Sequence, residues 1–571
     1  MTVAPSPPVA TEPSPPGRFS GTAPGIRSSW RGFTTPPTGR RIPGTVPVFV
    51  LGCLVGTVAS IYTVRTGTNL DYGDALAHLT ISRRILDNKA PGLKQLGTVW
   101  LPLPHLLLLP MVQNMWLFRT GVAACILGTL CLGASSAALY RIMARLEFDA
   151  LGRLVGLVVL LANPSLLYVF TTALTEPVLI AAILGCIAGL AGWNASPRRL
   201  SGGELAVFAG IPAAAGVLTR YEAWPLVFSG TIFVVITTLR RSQGVRRAIV
   251  YALSFAAPPV LAVSWWLAYN TATYNNPLEF LTGQYSASAF TDDFIERGQL
   301  TTKGNPGLSF HVFDWALLET AGLAALVLAG LGVLAMTWRW GVNDKALVVW
   351  LAGTSSAFLL VSLTTGQHIM VNDRALPIGA YNNRYVLSAV PWLALLAAFL
   401  IGHWRTHLPL RLVATALAIA ALTTQNIWWA QDPPGRMPVI QEAQNQHRAA
   451  IPVIRAATWL GQHYDGGGIL MDESHSPVAP IIGVPLDEYY NRAAGGYFTA
   501  ALANPYTHAR WVFMYRVRGT DDESAAALDR VTKRLVADPQ FHATYRLVFS
   551  VANIGIYRRI GDPEFLAEDA R

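Results

Sequence analysis

The feature that most constrains this chain is a recurrence of uncharged, apolar stretches, each long enough to cross a lipid bilayer, separated by short segments that hold most of the charge. A hydrocarbon layer of about 30 Å takes about 17 to 25 helical residues, and within it each backbone N–H and C=O must be satisfied inside the fold. Such runs cover 44–64, 116–140, 154–172, 177–193, 205–219, 223–239, 248–269, 315–336, 346–364, 385–401 and 412–429. They predict a polytopic α-helical membrane protein with about eleven transmembrane helices. Composition agrees, with 52% hydrophobic and 13% charged residues among 571.

The net charge of +10 raises nucleic acid as a partner. The basic residues, however, fall in short clusters between apolar runs instead of along one face with interleaved aromatics, so no nucleic-acid partner is expected. Their placement follows the positive-inside rule, which gathers Lys and Arg in every second loop. Arg27, Arg31, Arg40 and Arg41 precede the first run. Arg141, Arg145 and Arg153, then Arg198 and Arg199, then Arg240, Arg241, Arg246 and Arg247, then Arg339 and Lys345, and finally Arg405 and Arg411 follow at alternate loops. That side reads as the cytoplasm of a multi-pass cell-membrane protein, leaving the acids of the other loops facing outward. Residues 1–43, rich in Pro, Ser, Thr and Gly, carry too little apolar surface to fold and read as a disordered cytoplasmic tail. Cys53, Cys125, Cys131 and Cys186 all sit in apolar runs, as small hydrophobes rather than a disulfide framework.

Through their central portions the runs lack Asp, Glu, Lys and Arg. A charge at the bilayer centre costs about 2.5 to 3.5 kcal/mol on insertion scales, so ion-coupled carriers keep such residues only for function. Polar groups collect instead at the outer ends of helices, which suits an enzyme acting at the interface on a lipid-linked substrate. A transporter or flippase of such lipid-linked substrates is the alternative, and against it stand the uncharged centres and the lack of an evident internal repeat. A noncatalytic scaffold is a third reading, and it requires Asp74 to be dispensable.

The transmembrane region, 44–430, carries a first external loop at 65–115 and another at 270–314. The first holds NLDYGDALAHL, residues 69–79, with Asp71 and Asp74 just beyond the first run. Either acid can serve as a base or merely solvate or cap a helix end. Glu176 before Pro177 fits a helix first turn as well as a site. Arg220 and Glu222 can pair on an exposed surface, a contact worth about 0 to 1 kcal/mol. Arg384 before Tyr385 can be an interfacial anchor. His105 reads as a packed histidine, and Trp100 with Pro102 and Pro104 as an interface-seated helix breaker. Asp292, Asp293 and Glu296 read as a solvated loop face, with a divalent cation as the alternative; no cofactor is otherwise called for.

From 431 to 571 the pattern becomes that of an extracytoplasmic α/β domain of about 140 residues. Helices are expected at 452–464 and 521–537, strands at 469–471 and 510–515, and a hairpin from 545–551 to 554–558. Gly466 to Gly468 is a turn signal that lacks the Lys and Ser/Thr of a phosphate loop. Asp472, Glu473 and His475 read as a polar loop, with metal or acceptor glycan as the alternative.

YGDALAHLTISRRILDN, residues 72–88, resembles the first external loop of the GT-C glycosyltransferases, membrane enzymes that use polyprenyl-phosphate sugars and include protein O-mannosyltransferases and aminoarabinose transferases. Asp74 matches the family's catalytic Asp, His78 the basic position after it, and 82–88 the amphipathic segment that follows. Ala75 stands where that family usually has a Glu, which leaves Asp71 as the supporting acid. TEPVLIAA at Thr175, TRYEAWPL at Thr219 and NNRYVLSAVPWLALLAA at Asn382 resemble the family's acidic helix start, Arg-bearing loop and Arg-Tyr-Pro helix. The resemblance covers most of 44–571. It implies an inverting hexosyl- or pentosyltransferase with Asp74 as general base. Arg220 and Arg384, backed by Arg374 and His368, would bind the donor phosphate, and His78, Glu176, Glu222 and His105 would complete the substrate site. Its partners would be a polyprenyl-phosphate-linked sugar donor, membrane lipids and a glycan, lipid or protein acceptor.

Overall fold

A computed structural model describes residues 41–561 except 197–201, 284–285, 287–288, 290–294, 296–300, 377–378, 404–406, 473–477 and 517–528. Asp292, Asp293, Glu296, Glu473 and His475, and all but the last residues of the expected N-terminal tail, lie outside the described residues. Eight described helices are long and apolar enough to cross a membrane: Thr45–Thr66, Val122–Arg145, Glu176–Ala195, Tyr221–Arg240, Val245–Tyr274, Leu323–Trp340, Asn383–Gly402 and Leu408–Ala430. A ninth is the pair Asp344–Leu351 and Thr354–Thr365, bent by 49°.

The other two expected spans are helical but shorter. The run 154–172 is divided between Ala150–Leu161 and Pro164–Val169. Pro164 disfavours a helical residue before it, and the Asn163 side chain accepts the Leu166 N–H to start the second helix. The run 205–219 corresponds to the shorter apolar helix Gly202–Val217. The run expected at 315–336 is cut at Gly322, which lies at φ 88° between Pro306–Ala321 and Leu323–Trp340.

Small residues set the helix packing, because apolar association gains little inside lipid and close van der Waals contact must supply the attraction. The first span buries only Gly52, Gly56, Ser60 and Thr63, a stripe with helical spacing, while Val46, Leu54, Val58 and Tyr62 on its other faces are exposed. The stripe lies against Val122–Arg145, where a Cβ on Gly52 would come within 2.9 Å of the Gly133 Cα. Gly128 on that same helix is tighter, since a Cβ there would lie 1.7 Å from the Phe170 carbonyl oxygen. Gly128→Ala is therefore expected to destabilise by about 3 kcal/mol, the upper end for overpacking. Unfolding in detergent measures it, and a variant as stable as wild type would refute this packing.

The C-terminal domain is a five-stranded mixed sheet of β1 (Ile469–Leu470), β2 (Tyr489–Tyr490), β3 (Trp511–Tyr515), β4 (Tyr545–Val551) and β5 (Ile554–Arg559), in the order β2-β1-β3-β5-β4. β1 runs parallel to β2 and β3, and the expected hairpin closes the sheet as antiparallel β4 and β5. The described part of the helix expected at 521–537 is Arg530–Leu535. The helix expected at 452–464 is much longer, running from Pro438 to His463. At 1.5 Å per residue its 26 residues make a rod about 39 Å long. One end reaches the membrane region, and at the other Trp459 stacks on Phe549 of β4 with ring centroids 4.9 Å apart.

Candidate active site

The chain turns sharply where the first span ends, and that turn makes the site. Gly67, at φ 76°, stops Thr45–Thr66, a short turn follows at Thr68–Leu70, and a new helix, Gly73–Arg84, begins with Asp74 in its first turn. Asn69 pins the turn by donating its side-chain amide to the Thr120 carbonyl at 2.8 Å. Tyr72 is fully buried and donates its hydroxyl to the Val439 carbonyl at 2.6 Å. Asp71 and Asp74 thus occupy a joint between two helices, held from both the membrane region and the C-terminal domain.

Arg384 is the node of the site. It opens the Asn383–Gly402 span just after Asn382, at φ 58°. Its Nη2 donates to Asp74 Oδ2 at 2.5 Å, its Nε to Glu176 Oε1 at 3.2 Å and its Nη1 to Glu442 Oε1 at 3.1 Å. The same Glu176 oxygen accepts from Arg220 Nη1 at 3.1 Å, and Arg220 Nη2 donates to Glu222 at 2.7 Å. Tyr385 lies against both guanidinium groups, with Arg220 4.4 Å and Arg384 5.3 Å from its ring centroid. Two arginines thereby tie together four carboxylates, those of Asp74, Glu176, Glu222 and Glu442.

Burial separates these groups by role. The side chains of Arg384, Glu176, Glu222 and Glu442 are 2–3% exposed, whereas that of Asp74 is 40% exposed. One Asp74 oxygen is anchored by Arg384, and the other makes no hydrogen bond among the described residues. The alternative of an exposed Arg220–Glu222 pair fails, because the pair is largely buried and Arg220 also bonds Glu176. Arg220 and Arg384, expected at the donor phosphate, are here engaged with carboxylates: each nitrogen of Arg384 donates once, using three of its five N–H groups.

The remaining expected residues divide. His368 approaches Glu222 at 3.6 Å and joins the network's edge. Arg374 does not join it, for its largely exposed side chain pairs with Glu319 at 3.3 Å. His78 and His105 form a buried pair, Nδ1 to Nε2 at 2.8 Å, with Trp100 against His78. Burial, then the guanidinium groups of Arg384 and Arg220, push His78 down to about 3. The position expected to be basic is therefore an uncharged imidazole.

Asp71 pairs with His447 Nδ1 at 2.9 Å. Burial pushes its carboxyl up from 3.8 to about 6, against the pull of His447. An acid with a raised folded-state pKa holds its proton better folded than unfolded, so its contribution to stability is lost as pH rises from about 4 to about 6 and changes little above. Relative to Asp71→Asn, wild-type stability should fall across that window, as read from unfolding midpoints in detergent. Parallel profiles would sink this assignment.

Three residues of the C-terminal helix went unforeseen: Glu442, His447, and Gln446, whose side-chain oxygen accepts the Gly73 N–H at 3.0 Å. The signal was a Glu three residues after Val439 and beside Ala443, on the stripe that the helix buries. An acid on a buried stripe requires a partner. Among the described residues no group of three or more His, Cys, Asp or Glu is placed to hold a metal ion.

No protein-family model matches the chain, and no curated protein matches it in sequence. Solved structures do. One is ArnT from Cupriavidus metallidurans bound to undecaprenyl phosphate, with a TM-score of 0.53 at 14% identity over 90% of this chain and 98% of that one. Another is an Archaeoglobus fulgidus oligosaccharyltransferase tethered to an acceptor peptide, with a TM-score of 0.43 at 11% identity over 88% and 72%. At such identity it is the fold alone that the ArnT likeness establishes: the chain is a multi-pass membrane protein that shares the fold of that structure, with a small C-terminal sheet domain.

Proposed function

We propose that the chain is an inverting glycosyltransferase that moves a hexose or pentose from a polyprenyl-phosphate donor to an acceptor hydroxyl, with Asp74 as general base. The observation that carries this reading is the asymmetry of Asp74. It is the accessible acid of a buried network, fixed at one oxygen by Arg384 and open at the other. A base needs both a fixed position and a free lone pair.

In the proposed step the acceptor oxygen attacks the anomeric carbon as its proton passes to the open Asp74 oxygen. The new carbon–oxygen bond forms while the bond to the phosphate oxygen breaks, and polyprenyl phosphate leaves with the electron pair. Arg384 holds Asp74 in place, Glu176 fixes Arg384 against Arg220, and His78 and His105 form a neutral wall beneath the loop. A lipid-phosphate donor is supported by the fold shared with ArnT, whose structure contains undecaprenyl phosphate. The positive-inside pattern supports an outward-facing site, and the helix ends that it assigns to one side, around Asp74, Glu176, Glu222 and Arg384, meet in the structure.

Purified protein incubated with radiolabelled mannosyl-, glucosyl- or arabinosyl-phosphoundecaprenol and acceptor membranes should transfer label from at least one donor. Translocation of these lipids across vesicles without any transfer would overturn the reading in favour of a flippase.

A further inference from the structure

We propose that Glu442, carried by the long helix of the C-terminal domain, is a positioning residue for Asp74: it fixes the orientation of their shared partner Arg384. This rests on the reading of Asp74 as general base.

The helix makes four contacts with the catalytic joint along one face. The Val439 carbonyl accepts from Tyr72, Glu442 accepts from Arg384, Gln446 accepts the Gly73 N–H, and His447 pairs with Asp71. Glu442 is the most deeply engaged, with its side chain 2% exposed. Its Oε1 accepts from Arg384 and also from the Gln446 amide at 3.2 Å, while its Oε2 accepts the backbone N–H of Asn382 at 2.8 Å. It thus holds both the guanidinium and the left-handed turn from which Arg384 projects. No other acid of the network binds that turn among the described residues, and none other comes from outside the membrane region.

Its charge matters as well as its shape. Glu442 is faced by Arg384, Asp74, Glu176, Tyr72, Tyr168 and Tyr381. Burial pushes it up to about 7, against the pull of Arg384 and with Asp74 and Glu176 adding to the rise. Ionised, Glu442 holds Arg384 by charge as well as by hydrogen bond; as pH falls through about 7 it takes up a proton and that hold weakens.

The test compares full-length wild type, E442Q and E442D, assaying initial transfer rates against pH with whichever of the mannosyl, glucosyl or arabinosyl donors wild type uses. Wild type should lose rate as pH falls through about 7, where Glu442 takes up its proton, whereas E442Q should lack that limb and show kcat at pH 8 lowered by about threefold to tenfold, with the donor KM unchanged. E442D, which keeps the charge, should retain the wild-type limb. If E442Q does not fold, the limb of E442D decides: retained, it supports the role; displaced, it overturns it. An unmoved limb in folded E442Q, or equal shifts in both variants, also overturns it. Transfer by wild type with E442Q indistinguishable from it refutes only the role of Glu442, whereas no transfer by wild type from any donor refutes the underlying reading.

Discussion

Asp74→Asn is expected to lower sugar transfer by about 10²- to 10⁴-fold, the usual contribution of a positioned general base. The substitution is nearly isosteric, and the amide oxygen of Asn can still accept the hydrogen bond that Arg384 Nη2 now gives to Asp74 Oδ2. The joint between the two helices should therefore keep its shape. What is lost is an oxygen able to take the acceptor's proton as the glycosidic bond forms. The loss should fall on kcat with little change in donor KM, because Asp74 works on the acceptor only as reaction proceeds. Steady-state rates across donor concentrations separate the two parameters, and a variant retaining more than a tenth of wild-type kcat would remove Asp74 as base.

Arg384→Met should cost more in stability than any other single change at the site. It removes the one group that holds Asp74, Glu176 and Glu442 together, and the last two are 2–3% exposed. Taking one member from a buried ion pair costs about 3 to 5 kcal/mol, because the partner keeps its desolvation penalty without compensation. Two such acids would be stranded here, although Arg220 still reaches Glu176. Part of the loss should be recovered at acid pH, where the stranded carboxyls take up protons. Arg384→Lys keeps the charge but not the three-way fork, and should fall between wild type and Met. Unfolding in detergent at pH 5 and pH 8 measures all three proteins. A Met variant as stable as wild type at pH 8 would show that the network is not what closes the site.

The fold was legible where it depends on local chemistry. Apolar run lengths located the spans, and alternating basic clusters grouped the ends that meet at the site. Breaks at Pro164 and Gly322 were less legible, because a run's mean apolarity is the same on either side of a break. In the site, Asp74, Glu176, Arg220, Glu222 and Arg384 stood out as charges at the ends of apolar runs. Their roles did not, since Arg384 meets Asp74 and Glu176 across 310 and 208 residues of sequence. Without those neighbours in view, such an arginine reads as a phosphate ligand alone, and only the structure shows it joined to three acids. Glu442 was hidden for a related reason. Its helix is half polar, and its significance lies in a contact with a span that ends far upstream.

The long helix from Pro438 to His463 has a consequence for how the protein can be divided. Because the rod that stacks on the sheet at Trp459 also carries Glu442, the C-terminal domain is not a detachable module. Cutting the chain after its last span would take away part of the proposed catalytic centre along with any acceptor-recognition surface, so loss of activity in such a truncation would say nothing about which was needed. Grafting a foreign domain onto the membrane region to change acceptor preference would meet the same obstacle. Even an exchange beyond His447, which would spare the contacts to the Asp71–Asp74 joint, would break others, because the Gln95 amide donates to the Ala493 carbonyl at 2.8 Å and the Asp487 N–H to Asp87 at 3.1 Å.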